Sequence, residues 1–558
     1  MDSDSTRNLR FGIMCTGTTF SAWEARCIST LIALGNVSPK LLIIDQETSD
    51  RPEKIPTFSL TYRRALMSTA SMKPVDLLEE LTTVPAIRCS ANFNGECSGY
   101  FKEDDLVEIR SYNLDFILNF GFNRLRGQIL EVARYGNWSF RHNDETKYKG
   151  GPPCFWEIYY GDPVISASLQ KVTEHLDAGI ILKRGVFPTE DYSYTASLDR
   201  VLFDSAEWAA HVCIDILNGN DCYFDTSPPK TTAPIFRSPT KLQKMLFRIK
   251  LAKNLVIKVS QLLFRHDEWN VGIVDRPIDS FLNEGGPPSI HWLPKLHRSQ
   301  YIADPFGFTD SDKITLLCEC FDYTDGRGSI SSIELSDTGY LISSKPAICK
   351  PFHLSYPYLL KYQGETYCIP ETSELREVAL YKAERFPTNW VKVTTLIEDF
   401  PGLDSTVFQY EGRWWLTCTN AEQGRNHKLF IWYSNSLFGP WQPHALTPAK
   451  TDIRSSRPGG TPFIHHGFLY RPAQDCSETY GGRVVINRVT HLTPTTFEEE
   501  PHRTIAPAAD GLYRDGLHTL SKLGETRTLV DGKRHSFYLG GLMSGMGIIR
   551  KRLRAGLE

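Results

Sequence analysis

The chain of 558 residues is too long to fold around one hydrophobic core, so its length predicts two or three domains. Its 62 Lys and Arg residues nearly balance its 65 Asp and Glu residues, and the net charge of −3 gives no general attraction to nucleic acid. The start of the chain lacks a secretory-signal pattern and no stretch has the length of a membrane span, so we expect a cytoplasmic location and no nucleic-acid partner.

Residues 10–235 alternate short apolar strands with helical patterns. "LRFGIMCTG", "KLLIIDQ" and "LDFILNFG" are predicted as strands, and "SAWEARCISTLIALG" as a helix that ends at Gly35. Such alternation requires crossover connections and a mostly parallel sheet covered on both faces. This region therefore predicts an α/β Rossmann-like domain that binds ligands at the carboxyl ends of its strands, preceded by a tail at residues 1–9.

Residues 236–268 predict one long helix, with Ser238 as its N-cap and Pro239 at its first position. Seven Lys or Arg residues and no acidic residue lie between Lys241 and Arg265. We interpret this segment as a basic connector helix between domains. Contact with an anionic membrane surface through residues 241–265 is the alternative.

From residue 269 to about 545 the pattern is all β, and it repeats. Similar segments recur around Asp304, Tyr356, Asp404, Arg457 and Asp515, at separations of 52, 48, 53 and 58 residues. A period of this length with several short strands predicts propeller blades, because each blade buries its faces only against its neighbours. We therefore expect an all-β five-bladed propeller, with residues 546–558 as a tail. A two-sheet sandwich is the alternative.

Three motifs of the first region occur in a characteristic order. They are "YKGGPP" at residues 148–153, "GDP" at 161–163 and "HLDAGIIL" at 175–182. Together they resemble the catalytic domain of the folate-dependent formyltransferases, the family that includes glycinamide ribonucleotide, methionyl-tRNA and amino-sugar formyltransferases. The resemblance covers about residues 10–190. It implies transfer of a formyl group from 10-formyltetrahydrofolate to an amine.

The resemblance also implies catalytic residues. The family uses an Asn-x-His pair and an Asp, because attack of an amine on a formyl carbon needs donors for the developing oxyanion and an acceptor for the amine proton. Asp177 matches the family aspartate, and we expect it to orient an imidazole and favour its protonated form. At the spacing of the purine-pathway members, Ser139 and Arg141 fall at the Asn and His positions. His142 lies one residue further on and is the expected imidazole.

Other residues are expected around this centre. Leu118, Phe120, Gly121 and Ile180 are predicted to border an apolar slot for the pterin ring of the folate. Gly150, Gly151 and Pro152 are predicted to shape the loop where the amine enters, since glycine allows close approach of the backbone. No cysteine pair or His cluster has metal-ligand spacing, so no metal is expected.

The repeats of the second region carry a resemblance of their own. "ADPF", "HLSYPY", "LYKAERFPTNW", "WYSNSLFGPWQPH" and "YRPAQDCSETYGGRV" resemble the N-terminal propeller of plant glucosamine inositolphosphorylceramide transferases and, more distantly, five-bladed glycoside hydrolases. Asp304, Glu371 and Asp404 occupy comparable places in successive repeats and are expected to converge on the propeller axis. With Trp414 as a stacking platform, they are predicted to bind carbohydrate.

The leading hypothesis is a formyltransferase that acts on an amino sugar, either free, nucleotide-linked or within a glycan, with a propeller that binds the carbohydrate. Two alternatives stay open. In one, the propeller resembles a glycoside hydrolase or assists a glycosyltransferase, and the first domain is a degenerate formyltransferase scaffold. In the other, the protein is a carbohydrate-binding module without activity.

Overall fold

The computed structural model describes residues 7–46, 69–90, 99–122, 125–174, 179–229, 231–283, 285, 288–295, 297, 299–310 and 313–537. The chain divides into two units, Met1–Leu255 and Val256–Glu558. The first is an α/β unit with a mainly parallel sheet of the Rossmann-like kind, and the second is a ring of antiparallel sheets.

The first unit alternates strands and helices as its apolar pattern predicts. Its strands are β1 (Leu9–Cys15), β2 (Thr19–Ser21), β3 (Val37–Asp45), β4 (Pro74–Asp76), β5 (Ala86–Cys89), β6 (Phe116–Asn119), β7 (Asn137–Arg141), β8 (Lys149–Gly150), β9 (Val164–Lys171), β10 (Ile180–Pro188) and β11 (Ile235–Phe236). Its helices are α1 (Ala22–Ala33), α2 (Leu78–Leu81), α3 (Glu103–Ser111), α4 (Phe155–Tyr160), α5 (Tyr194–Ser205) and α6 (Trp208–Leu217).

Seven of these strands form one sheet in the order β10-β9-β7-β6-β1-β3-β5. Strands β7, β6, β1, β3 and β5 run parallel, whereas β9 is antiparallel to both β7 and β10. Phe11, Phe116 and Trp138 stack across neighbouring strands, with ring centroids 5.3 and 3.9 Å apart, and fix this register inside the core. Because β7 ends at Arg141, the loop that carries His142 begins at the carboxyl edge of the parallel strands.

The second unit contains five sheets, so the prediction of a five-bladed propeller is confirmed. Its strands are β12 (Arg265–Val274), β13 (His291–Trp292), β14 (Gln300–Asp310), β15 (Lys313–Asp322), β16 (Arg327–Ser336), β17 (Leu341–Ile348), β18 (Ser355–Tyr362), β19 (Glu365–Thr372), β20 (Glu377–Arg385), β21 (Asn389–Ile397), β22 (Gly402–Tyr410), β23 (Arg413–Asn420), β24 (Lys428–Ser434), β25 (Gln442–Pro443), β26 (Lys450–Thr451), β27 (Phe463–His465), β28 (Phe468–Asp475), β29 (Arg483–Leu492), β30 (Phe497–Ile505), β31 (Leu520–Leu523) and β32 (Arg527–Phe537).

One sheet combines the two ends of the propeller. Its order is β13-β12-β32-β31, and β12 pairs with β32 without interruption from Arg265–Phe537 to Val274–Thr528. The first strand of the ring therefore starts at Arg265, before the predicted boundary at residue 269. This sheet contains strands from both ends of the second unit, so the pairing of β12 with β32 closes the ring of sheets.

Three innermost strands share a local irregularity at their inner ends. Asp304, Tyr356 and Asp404 have φ angles of 52°, 42° and 52°, and the pairing register shifts at each of them. At a β-bulge, a residue with left-handed backbone angles points its side chain in a direction that the regular up-and-down alternation of the strand would not allow. The same bulge recurs in three successive blades, so it directs these three side chains towards one another.

Helix α7 (Lys241–Phe264) begins in the first unit and crosses the boundary to the second. It starts later than the sequence predicts: Thr240, not Ser238, forms the cap, through a hydrogen bond from its backbone N–H to Gln243 and one from the Gln243 N–H to its hydroxyl. This reciprocal pair of hydrogen bonds is a capping box. The Ser-Pro sequence at residues 238–239 is also typical of a helix start, and it led to the earlier predicted N-cap. Among the described residues, neither α7 nor any other helix has the length and apolar character needed to cross a membrane.

Candidate functional site

An open cleft lies at the carboxyl edge of the parallel strands in the first unit. It has a volume of about 280 Å³, and we call it the edge cleft. Its lining side chains come from the end of β7, the loop after it and one residue of β9: Phe140, Arg141, His142, Asn143, Glu145, Lys149, Gly150, Gly151, Pro153 and Gln170. The position agrees with the general rule for ligand sites on parallel sheets.

His142 is a buried imidazole within this cleft. It lies edge-on to Trp23, with 5.1 Å between ring centroids, and parallel to Phe140 at 5.8 Å. Burial in this aromatic surrounding, with a smaller contribution from the Arg141 charge, lowers the pKa of His142 to about 3. The ring is therefore neutral at physiological pH, whereas the sequence led us to expect a protonated ring.

The Ser205 hydroxyl is the hydrogen-bond partner of His142. Its oxygen lies 3.1 Å from Nε2 and 3.2 Å from the Leu202 carbonyl oxygen. When the hydroxyl donates to Leu202, Nε2 carries the hydrogen and donates to Ser205; when the hydroxyl donates to Nε2, the hydrogen is on Nδ1. The first arrangement leaves the Nδ1 lone pair free to accept a hydrogen bond.

Strand alternation separates His142 from the two residues at the family spacing. Phe140 of β7 stacks on His142 in the loop that follows, whereas Ser139, which pairs with Gln170 of β9, and Arg141 alternate with Phe140 along the strand. Arg141 is exposed and borders the edge cleft, so it can contact an anionic group there. His142 is thus the buried imidazole of the site, with Arg141 as a cation beside it.

Glu145 is a cleft residue that the sequence reasoning missed. One carboxylate oxygen accepts a hydrogen bond from Gln170, which also donates to Ser168 at 2.9 Å. The other oxygen, Oε1, is buried without a partner among the described residues. Burial raises the pKa of Glu145, so this carboxyl is poised to exchange a proton or a hydrogen bond with a bound ligand.

The glycines of the site have different structural roles. Gly150 has a φ angle of 91° and lies so close to β11 that a Cβ atom would be 2.3 Å from the Phe236 carbonyl oxygen. Gly151 faces open space, and Pro152 is buried behind the cleft. Gly121 lies against the backbone of Cys15, where a Cβ would be 2.7 Å from the Cys15 Cα.

We expect Gly121→Ala to lower the stability of the first unit by about 1–3 kcal/mol, because the methyl group would overlap the backbone of β1 and push β6 away from it. Chemical denaturation would measure the change. Gly151→Ala is the matched control: no atom lies within 4 Å of its Cβ position, so its stability should change by less than about 0.5 kcal/mol. Equal losses in the two variants would contradict this assignment.

The remaining predicted residues of the first unit are placed as follows. Leu118 and Ile180 lie in the hydrophobic core and are absent from the cleft lining. Phe120 is half-buried and packs edge-on against Trp23 at 5.5 Å, next to Phe140 and His142. Asp177 lies outside the described residues, so its approach to His142 stays a prediction.

A second cluster lies where the inner strands of the propeller meet. We call it the axial cluster; it comprises Asp304, Glu319, Glu371, Asp404, Arg457, His518 and Asp531, all of them buried. Residues from neighbouring sheets contact one another directly here: the Tyr356 hydroxyl lies 2.9 Å from the Thr406 hydroxyl and accepts a hydrogen bond of 2.9 Å from the Gly460 N–H. The predicted convergence of acidic residues from successive blades is present.

Arg457 binds Asp404 through two hydrogen bonds. Its Nε and Nη2 donate to the two carboxylate oxygens at 2.5 and 3.0 Å, and Gln474 adds a third bond to Asp404 at 2.6 Å. Glu371 lies 4.0 Å from the same guanidinium. A bidentate pair of this kind is both strong and directional, so it fixes Asp404 and leaves Glu371 less tightly bound.

His518 connects the last sheet of the ring to Asp304. Its Nδ1 lies 2.6 Å from Asp531 and its Nε2 3.4 Å from Asp304. Burial opposes a charge on this ring, but the Asp531 carboxylate raises the pKa of His518. The ligand atoms of these three residues lie within 4.8 Å of one another, a spacing that a metal ion would also accept. The contacts present form an ion-paired network.

Three carboxyl groups of the axial cluster hold protons more tightly than usual. Burial, reinforced by the Asp404 charge, raises the pKa of Glu371 to about 7. Burial raises the pKa of Asp304 to about 6, and burial together with Asp304 and Glu371 raises the pKa of Glu319 well above its ordinary range. Protonated and ionised carboxyls therefore coexist here near neutral pH, which is the combination that acid–base chemistry on a glycoside needs.

We expect Glu371→Gln to stabilise the propeller at pH 8 and to have little effect at pH 5. Because the folded-state pKa of Glu371 lies above its ordinary value, the folded state binds this proton more tightly, and stability falls as pH rises from about 4.3 to about 7. Removing the charge should recover up to about 3 kcal/mol at pH 8. Thermal unfolding at both pH values would measure this gain in stability. Glu374→Gln, at an exposed position, is the control and should show no such gain. Equal shifts at both pH values would refute the raised pKa.

The structure does not bring Trp414 to the axial cluster. Trp414 pairs with Gln409 near the outer end of β22, whereas Asp404 lies near its inner end, and the indole packs against Tyr362 between two blades. The aromatic rings at the cluster are instead Trp269, stacked on His518 at 3.9 Å, and Tyr480, which covers the Arg457 guanidinium at 4.9 Å.

The second half of the chain matches a known family model. The model describes the N-terminal part of glucosamine inositolphosphorylceramide transferase 1 and covers residues 294–507. The rice protein of that name (Oryza sativa subsp. japonica) is 37% identical over 211 residues, which are 37% of this chain and 28% of the relative. The Arabidopsis thaliana protein is 34% identical over 228 residues, or 39% and 28% of the two chains. The chain thus spans little more than a quarter of these relatives' length.

Other similarities concern formyltransferases and glycoside hydrolases. A methionyl-tRNA formyltransferase of Lactobacillus gasseri is 24% identical over 151 residues, which are 27% of this chain and 44% of the relative. Among solved structures, the glycoside hydrolase Zg3597 of Zobellia galactanivorans has a TM-score of 0.32 at 13% identity and covers 49% and 91% of the two chains. Glycinamide ribonucleotide transformylase 1 of Symbiobacterium toebii has a TM-score of 0.28 at 15% identity and covers 38% and 89%. Both scores are low, and neither structural likeness bears on activity.

Proposed function

We propose that the first unit transfers a formyl group from 10-formyltetrahydrofolate to the amine of an amino sugar, and that the propeller binds the carbohydrate that carries this amine. The observation that supports this most directly is a neutral, buried imidazole, His142, in an open cleft at the carboxyl edge of a parallel sheet. The motif order of the family and the similarity to a methionyl-tRNA formyltransferase agree with it.

The residues of the edge cleft fit the formyl donor. Phe140 lines the cleft, where a pterin could stack on its ring, and Phe120 and Trp23 pack behind it. The unpartnered Oε1 of Glu145 could accept a hydrogen bond from a pterin or amine N–H. The donor itself supplies the carbon that is transferred.

The chain's own groups would manage the charges of the transfer. The amine nitrogen bonds to the formyl carbon while the bond from that carbon to the donor nitrogen breaks, so one proton must move from the amine to the donor nitrogen. The neutral imidazole of His142 would accept a hydrogen bond from the attacking amine and guide this proton to the leaving nitrogen, which takes it as the bond to the formyl carbon breaks. Arg141 would stabilise the negative charge that develops on the formyl oxygen.

The acceptor is an amino sugar in this proposal because of the second unit. The relatives that match the propeller carry glucosamine in their name, and the axial cluster combines buried carboxyls with Trp269 and Tyr480. Carboxylates that accept from hydroxyl groups and aromatic rings that stack on sugar faces are common features of carbohydrate sites.

The test is a formyl-transfer assay with the purified chain, 10-formyltetrahydrofolate and a panel of free, nucleotide-linked and glycan-bound amino sugars. We expect release of tetrahydrofolate together with a formyl-mass increase on one acceptor class, and loss of both in Asp177→Ala. Formyl transfer to none of these amines by the folded protein would refute the proposal.

A second candidate function is supported by the axial cluster. Glu371, with its pKa raised to about 7, and Asp404, which accepts two hydrogen bonds from Arg457, form a pair of carboxyl groups suited to glycoside cleavage. Release of reducing sugar from a glycan panel, with Glu371→Gln as the inactive variant, separates this function from simple binding.

A further inference from the structure

Helix α7 exposes a row of large apolar side chains. Leu242, Met245, Leu246 and Ile249 recur at helical spacing, and Leu242 and Ile249 are 60% and 57% exposed. Four such residues within two turns form a continuous stripe, which we call the α7 stripe. Isolated apolar residues are common on surfaces, but contiguous ones usually mark a contact.

The opposite side of α7 explains why the stripe faces outwards. Phe247 is buried against Phe155, with ring centroids 4.3 Å apart. Lys250 donates to the Tyr159 carbonyl at 2.9 Å, and Asn254 donates to the Asp191 carbonyl at 3.0 Å. These contacts fix the rotation of the helix on the first unit, so the stripe is held away from the core.

The charge of α7 identifies what the stripe fits. Residues 241–265 contain seven Lys or Arg residues and no acidic residue. Lys241 and Arg248 border the α7 stripe, and Lys253 lies one turn beyond Ile249 on the same side. Apolar side chains flanked by basic ones on a helix too polar to span a bilayer are the features of a helix that lies in the interface of an anionic membrane.

We propose that α7 docks the protein onto an anionic lipid bilayer, with the α7 stripe inserted among the acyl chains and the flanking lysines at the headgroups. This inference is independent of the formyl transfer proposed above.

Co-sedimentation of the full chain with vesicles tests this. We expect binding to phosphatidylcholine vesicles that contain about one third phosphatidylserine, weak binding to phosphatidylcholine alone, and loss of binding as salt rises from about 0.1 M to about 0.5 M. The variant L242S/L246S/I249S should lower the partition coefficient about tenfold or more on anionic vesicles. The variant K241Q/R248Q/K253Q should lose the preference for anionic lipid.

The control is Y340S/I342S, which removes two exposed apolar side chains from the propeller and should bind as the unmodified chain does. Circular dichroism and thermal unfolding confirm that each variant is folded. Absence of binding by the unmodified chain, equal binding to neutral vesicles, or binding unaffected by L242S/L246S/I249S would each overturn the proposal. A dimer that these substitutions convert to a monomer would also overturn it, because a second copy would then cover the stripe.

Discussion

Replacing His142 with alanine is expected to lower kcat/KM for formyl transfer about 10²–10⁴-fold, the usual loss when a general base is removed. In the proposed mechanism the neutral imidazole donates its Nε2 hydrogen to Ser205 and guides the amine proton through its Nδ1 lone pair. Tetrahydrofolate release with the acceptor identified by the panel would measure the loss. A decrease below about threefold would remove His142 from the mechanism.

Ser205→Ala is the matched variant, since it keeps the imidazole but removes the acceptor for its Nε2 hydrogen. We expect a smaller loss, about tenfold, from mixing of the two tautomers. The pH profile separates catalysis from structure: because the pKa of His142 is lowered to about 3, its titration should leave kcat/KM unchanged between about pH 5 and 8 in the unmodified chain.

Arg457→Met is expected to destabilise the propeller by about 3–5 kcal/mol, because it leaves the Asp404 carboxylate buried without its cation. Asp404 and Arg457 are only 2% and 5% exposed, so water cannot replace the lost bonds. Calorimetry would show the unfolding transition of the second unit at a lower temperature. The double variant Asp404→Asn, Arg457→Met should recover part of the loss, since it removes the stranded charge.

Arg376→Met provides the control for this prediction. Arg376 also contacts two carboxylates, Asp399 at 2.7 Å and Glu422, but these groups lie on the surface. Solvent screens such pairs, so its loss should leave the unfolding temperature of the second unit nearly unchanged. If both arginine variants unfold alike, the stability of the ring does not depend on the axial ion pair.

Local patterns account for most of what could be predicted. The spacing of apolar residues shows the alternation of strands and helices in the first region, and this alternation predicts the parallel sheet. The repeat length of the second region predicts the five blades in the same way. The loop with His142 was also predictable, because the end of a strand determines which residues reach the carboxyl edge of a sheet.

Properties that depend on distant partners could not be predicted. In the sequence, Glu145 cannot be distinguished from a solvent-exposed carboxylate in a loop. Its burial depends on Gln170 of β9, which donates a hydrogen bond to it. Trp414 and Asp404 lie on neighbouring strands, but only the register shows that they occupy opposite ends. In the last repeat, the structure places His518 in the axial cluster, whereas the repeat anchor Asp515 accepts a hydrogen bond from the His535 N–H outside it.

Pairing of β12 with β32 has a consequence for biosynthesis. The two strands are separated by more than 250 residues, so a ribosome must release nearly the whole second unit before the ring can close. Until then the nascent chain exposes the unpaired edge of β12, which is a template for wrong pairing with other chains. Deletion of residues 527–537 would make that vulnerable state permanent.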